Sequence, residues 1–253
     1  MKHYLSVLCL TARSSIFTIA LILPLMAAAQ AALFWFYLSE GIKTAAAGIA
    51  NAPLESLFEK PLLSLTFSAA FFAVTFFLCR TGCAFGAQPG YTLDRLSVRP
   101  LTVWLLQASH NPAVFLILWF AEAAVSMGLC TLYMHFADSA AVSVQTAFLA
   151  TYRSEFLHAV LPMHDAALWV RNLLFALTLG IVTATFPYKQ RRGKFAGEVL
   201  LCALLLPGIF ACTPGEPGLS IVECVIALSV AAFSLLHVLG VFDESQSEEE
   251  DLP

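Results

Sequence analysis

Glu122 is the one carboxylate in the apolar run 112–133, and Ser126, Cys130 and Tyr133 follow it at three- and four-residue steps. On a helix those steps put all four side chains on one face. A carboxylate about ten residues into a bilayer-crossing helix lies near mid-membrane at 1.5 Å per residue. Such a group is costly there and is by default a functional hypothesis. Two roles are open to it. It can serve a proton or cation path lined by Glu122, Ser126 and Tyr133, or it can be a neutral, hydrogen-bonded acid that ties helices together. Other ionisable groups have plainer expectations. Glu223, a turn inside the last apolar run, is expected to reach the outer interface, and His237 to snorkel at the inner end. Arg171 is expected to snorkel outwards or to pair with Asp165. His135, Asp138, His158, His164 and Asp165 lack metal-ligand spacing, and we read them as solvated polar residues. Cys79 and Cys83, one helical turn apart, do not form a CxxC, and the seven cysteines behave in apolar runs as small hydrophobes. Nothing matches a phosphate-binding GxxxxGK[ST] loop, HExxH or GxSxG. The chain is therefore expected not to be an enzyme, and no cofactor or metal site is expected in it.

The elements that must carry these groups follow from composition. The 253 residues are 59% hydrophobic and 12% charged, about half the charge of a soluble domain. That places the chain in the membrane class, and a net charge of −4 gives no basic surplus for nucleic acid. A crossing helix needs about 20 mainly apolar residues. Six runs meet or approach that length: 15–38, 62–78, 112–133, 166–186, 196–212 and 219–241. They are continuous rather than alternating, so helices are expected and a β-barrel is not. The second and fifth are short, and the fifth contains Pro207. In the first, "LILPLMAAAQ" also matches a signal-peptide core with small residues after it. "ALFWFYL" carries the apolar run onward to Trp35 and Tyr37, the pair expected at an interface, and this favours a retained span.

Lysine and arginine bias sets orientation. With the amino terminus inside, Lys2, Arg13, Arg80, Arg95, Arg99, Lys189, Arg191, Arg192 and Lys194 fall on the inner side. Lys43, Lys60, Arg153 and Arg171 fall outside. Nine against four places both termini in the cytoplasm of a plasma-membrane protein, with "YKQRRGK" as the strongest anchor. The tail 243–253, "DESQSEEEDLP", is acidic and reads as disordered.

Three segments are not spans. Residues 1–13 read as an amphipathic helix in the inner interface, with Lys2, Ser6 and Arg13 opposite Tyr4, Leu5 and Leu8. Between the third and fourth spans, "AVSVQTAFLATYRSEFLHAV" reads as a surface helix. Its apolar stripe is Leu149, Tyr152, Phe156 and Val160, opposed by Ser154, Glu155 and His158. After the second span, Pro89-Gly90 signals a turn, and "YTLDRLSV" makes about two helical turns with Leu93 and Leu96 opposite Asp94 and Arg95. Ser97 and Pro100 suit a helix start. "LTVWLLQASHN" then continues to Pro112, where the third span is expected to begin with a kink. A pair of short cytoplasmic helices held against the span ends fits a docking surface for a soluble partner.

In this order of elements, and in "YTLDRLSVRPLTVWLLQ", the chain resembles the permease subunit of type 2, exporter-type ABC transporters. The resemblance implies an all-α polytopic fold of six spans with a coupling-helix pair between the second and third. It also implies a separate ABC ATPase as partner, met by Tyr91, Leu93, Asp94, Arg95, Leu96 and Arg99, and a homodimer or heterodimer of permeases. Many family members carry an external elaboration between spans five and six, where this chain has only "TPGEPGLS". A secondary transporter or channel working through Glu122, or a non-transporting sensor or assembly component, are the other readings.

Overall fold

The computed structural model describes residues 2–46, 53–81, 83, 98–136, 144–163, 165–194, 196–212 and 217–240, and these form helices with no strand among them. In hydrocarbon every backbone amide and carbonyl must be satisfied internally, which apolar runs of this length achieve only as helices. The elements are α1 (Lys2–Ala46), α2 (Leu54–Phe58), α3 (Pro61–Arg80), α4 (Pro100–Phe136), α5 (Val144–Arg153), α6 (Glu155–Val160), α7 (Ala166–Arg191), α8 (Gly197–Cys212) and α9 (Pro217–Leu239).

Contacts between long helices set their directions. Ser15 meets His110, Gln30 meets Glu122 and the Trp35 ring meets Phe136, so α1 and α4 run parallel. Trp104 meets Thr185, Asn111 meets Thr183 and Trp119 meets Trp169, so α4 and α7 run antiparallel. Arg171 faces Glu223 and Thr178 faces Ala227, so α9 runs with α7. The start of α3 lies beside the end of α1, where Lys60 sits over the Tyr37 ring, and Glu198 at the start of α8 reaches His237 at the end of α9. The six longer helices therefore alternate in direction. α7 sits at the centre, packed on α4, α9, α8 and α3, while α1 closes over α3 and α4. The main core joins Phe71, Val74, Phe115, Leu118, Phe175, Leu179, Val182 and Leu206 across these helices. A second core joins Phe34, Leu38, Leu54, Phe58, Leu129, Tyr133 and Leu157 towards the α2 end.

Among the described residues, five helices are long and apolar enough to cross a membrane: Ser15–Lys43 within α1, then α3, α4, α7 and Leu219–Leu239 within α9. α8 has 16 residues, about 24 Å at 1.5 Å per residue, and falls short of an hydrocarbon core about 30 Å thick. Five of the six runs expected to span are therefore candidate spans, and the run 196–212 is not among them.

Several boundaries differ from the sequence reading. No separate interfacial helix precedes the first span, because α1 is continuous from Lys2. No glycine or proline occurs before Pro24, so nothing interrupts it. No helix break marks Pro112 as the start of the third span. α4 starts at Pro100 and passes through Pro112 unbroken, with the Arg99 carbonyl accepting from the amides of Thr102 and Val103. The second member of the expected helix pair is thus the first turns of α4. The first member lies outside the described residues.

The surface segment is two helices rather than one. Its break is at Ser154, which was expected on the solvent side. Ser154 is instead fully buried, and its side chain accepts from the Leu157 amide at 3.4 Å as the cap of α6. The break turns the second helix relative to the first. Leu149 and Tyr152 are consequently exposed, while Ala150, Leu157 and Val160 face inwards.

Candidate functional site

The polar groups that sequence reading placed on one face of α4 do share it. Glu122, Ser126, Cys130 and Tyr133 are all buried, and α1 covers them. Gln30 of α1 lies opposite Glu122, its Nε2 donating to Oε1 at 2.8 Å and to Oε2 at 2.9 Å. Glu122 is 0% and Gln30 1% exposed. One and two turns further along α1, Phe34 and Leu38 pack in the cluster that holds Cys130 and Tyr133. The face is a closed α1–α4 seam with one amide–carboxyl contact at its middle. Gln30 was missed because a single amide in a long apolar run has no periodic signal; its signal is that it is the only amide between Ser15 and Leu38.

A second pair lies between α7 and α9. Arg171 is 0% exposed, and its Nε sits 3.3 Å from Glu223 Oε2. Both expectations for these residues are corrected here: Glu223 does not reach the interface, and Arg171 neither snorkels nor pairs with Asp165. Asp165 instead accepts from the Ala167 amide at 2.8 Å and caps α7, as short acidic side chains do at a helix start. Parallel packing of α7 and α9 brings the two charges level. Isolated, each would be prohibitive in such surroundings.

Polar contacts also tie α4 to α7. Trp104 Nε1 donates to Thr185 Oγ1 at 3.2 Å, and Asn111 Nδ2 to Thr183 Oγ1 at 3.0 Å. Between them Pro112 packs directly against Gly180, in the space that any side chain on Gly180 would need. A glycine there lets the two backbones approach closely, as small residues do in membrane helix pairs.

At the α2 end, three side chains hold the end of α6. Trp119 Nε1 donates to Val160 O at 3.0 Å, Trp169 Nε1 to Pro162 O at 2.6 Å, and Asn172 Nδ2 to Ala159 O at 3.0 Å. Carbonyls at and after a helix C-terminus lack intrahelical partners, and here α4 and α7 supply them. Arg153 of α5 pairs with Glu55 of α2 at 3.2 Å, an exposed contact of small energetic weight.

The opposite end is basic. Arg13, Arg80, Arg99, Lys189, Arg191, Arg192 and Lys194 gather there, with Glu198 the only acid among the described residues. Glu198 Oε2 lies 3.0 Å from His237 Nε2 and 3.8 Å from Lys189 Nζ, so His237 is held by α8 rather than snorkelling freely. Arg192 lies over the Tyr188 ring at 4.3 Å. At the α2 end, Lys43, Lys60 and Arg153 are outnumbered by Glu40, Glu55, Glu59, Glu155 and Asp165.

Of the expected partner-coupling residues, Tyr91, Leu93, Asp94, Arg95 and Leu96 lie outside the described residues. Arg99 is exposed at the basic end. Cys83, just beyond α3, donates its Sγ to Cys79 O at 2.9 Å, and burial pushes its thiol up to about 11 against a smaller opposing pull from Arg191. It is a packing thiol rather than a nucleophile. No cluster of metal-ligating side chains occurs among the described residues, and Asp138 and His164 lie outside them. No family model matches the chain, and neither does any curated protein or solved structure.

Proposed function

We propose that this chain is the membrane-spanning permease subunit of an ABC transporter of the exporter type, working in the plasma membrane with a separate ATPase subunit and a second permease. The observation that carries the reading is the charge difference between the two ends of the bundle. Basic residues favour the cytoplasmic side, and the end that gathers them also holds the start of α1, the end of α3, the start of α4 and the end of α9. On this reading α8 is the sixth span, short enough to draw the bilayer in around it at a modest cost.

The mechanism is mechanical. Closure of the ATPases would push on segment 91–99, with Asp94 and Arg95 as the residues proposed to meet the partner. α4 begins directly after Arg99 and runs 37 residues without a break, about 55 Å. A push at its foot would be carried as a rigid-body shift along the α1–α4 seam, reorienting the bundle between inward and outward access.

Reversing both charges, Asp94→Arg with Arg95→Asp, is the test. Purified from its native membrane under mild detergent, the unaltered chain is expected to bring vanadate-sensitive ATP hydrolysis with it. The reversed variant should lose most of that activity while the bundle stays folded, because unlike pairs across the interface become like pairs, at a cost of up to several kcal/mol. Absence of ATPase from the unaltered preparation would reject the reading, and so would equal activity in both. The Gln30–Glu122 pair favours a second reading, a secondary transporter or channel, and that one requires no ATPase at all.

A further inference from the structure

We propose that Glu122 and Gln30 form a proton-binding site inside the membrane-spanning bundle, where the Glu122 carboxylate reversibly takes up one proton. The inference does not rest on the ATPase reading, since it concerns only the α1–α4 seam. Its basis is an imbalance of hydrogen bonds. The Gln30 Nε2 group donates to both Glu122 oxygens, while Gln30 Oε1 is buried and has no hydrogen-bond partner. An ionised carboxylate is acceptor-only with about four lone-pair positions, so it offers the orphaned amide oxygen nothing. A protonated carboxyl does. When an O–H bond forms on one Glu122 oxygen, that group becomes a donor, and Gln30 Oε1 is the acceptor nearest to hand. Rotation of the Gln30 amide then gives a side-on pair, with N–H donating to one carboxyl oxygen and the carboxyl O–H donating to the amide oxygen. The proton comes from water and returns to it, and nothing is oxidised or reduced.

The surroundings leave this pair to itself. From α1 Glu122 faces Gln30, and along α4 the next titratable groups on its face are Cys130 and Tyr133. Glu55 of α2 is paired with Arg153, and the buried charges of α7 and α9, Arg171 and Glu223, are engaged with each other. Among the described residues no lysine, arginine or histidine is ion-paired with Glu122. Among the described residues, the buried interior thus holds one carboxylate facing a cation and one facing an amide. A hard metal cation is a poorer occupant. It takes about six oxygen ligands, and the pair offers Oε1 and Oε2 of Glu122 and Oε1 of Gln30.

Infrared difference spectroscopy of the purified protein in lipid nanodiscs, across a pH titration, reads the site directly. We expect a protonated-carboxyl C=O band that grows and decays with pH, moves on exchange into heavy water, and is lost in Glu122→Gln. In Gln30→Leu, which keeps Glu122, the same band should shift in frequency because its hydrogen-bond partner has gone. This second variant keeps the test decisive should Glu122→Gln fold poorly. Spectra of the unaltered protein and Glu122→Gln that superimpose at every pH would overturn the proposal. So would a band unmoved in Gln30→Leu, or one displaced by sodium ions at fixed pH, which would make the site a cation site instead.

Discussion

Replacing Arg171 with methionine should destabilise the bundle by about 3–5 kcal/mol, and replacing Glu223 with leucine at the same time should restore most of the loss. The guanidinium is completely buried, and its carboxylate partner sits 3.3 Å away with its side chain only 4% exposed. Removing either partner leaves an uncompensated charge among apolar side chains. Removing both leaves similar volumes and no charge, a change that is often neutral or stabilising. The pair joins α7 to α9, and α9 has its main packing on α7, with little on α8. A local electrostatic fault therefore becomes loss of a whole helix from the bundle. Thermal unfolding in detergent, followed by tryptophan fluorescence, would report the three variants. Single and double variants of equal stability would show that the charges do not depend on each other.

Gly180→Leu should be nearly as damaging, about 3 kcal/mol, the upper end for forcing extra atoms into a packed interior. A β-carbon at that position would come within 2.6 Å of the Pro112 nitrogen and closer still to its ring. Backbone and ring on the α4 side cannot swing away as a flexible side chain would. Asn111 and Thr183 are hydrogen-bonded one residue before Pro112 and three after Gly180, so the helices would have to part and break that bond too. Gly180→Ala should cost less, and Pro112→Ala in the same chain should recover part of it by removing the ring. The same unfolding assay checks this series. Full stability in Gly180→Leu would mean that α4 and α7 are not packed as described.

Much of the scaffold is legible in the residues themselves, since each long apolar run can satisfy its backbone only as a helix. The polar face of α4 is legible for the same reason: Glu122, Ser126, Cys130 and Tyr133 repeat at helical spacing, and the repeat survives in the fold. Gln30 carries no such repeat, and only the parallel packing of α1 on α4 reveals what it meets. Arg171 and Glu223 are far apart in the chain, and each lies close enough to a helix end for snorkelling to be the natural expectation. Their pairing depends on α9 running level with α7, which no local pattern states. In the surface segment the apolar stripe misleads, because it assumes one helix through Ser154, a residue whose side chain is equally suited to start a new one. Pro112 misleads in the opposite sense. A proline in a helix interior suggests a break, yet a glycine on the neighbouring helix makes room for its ring.

Contact between segment 91–99 and a cytoplasmic ATPase requires the basic end of the bundle to face the cytoplasm. Single cysteines introduced at Glu155 and Lys194, in a chain whose native cysteines have been replaced, put an exposed thiol at each end. With a membrane-impermeant maleimide on intact cells, Glu155→Cys should be labelled and Lys194→Cys spared until the cells are opened. Labelling of Lys194→Cys from outside, with Glu155→Cys protected, would put the basic end outside the cell and leave segment 91–99 with no ATPase to meet.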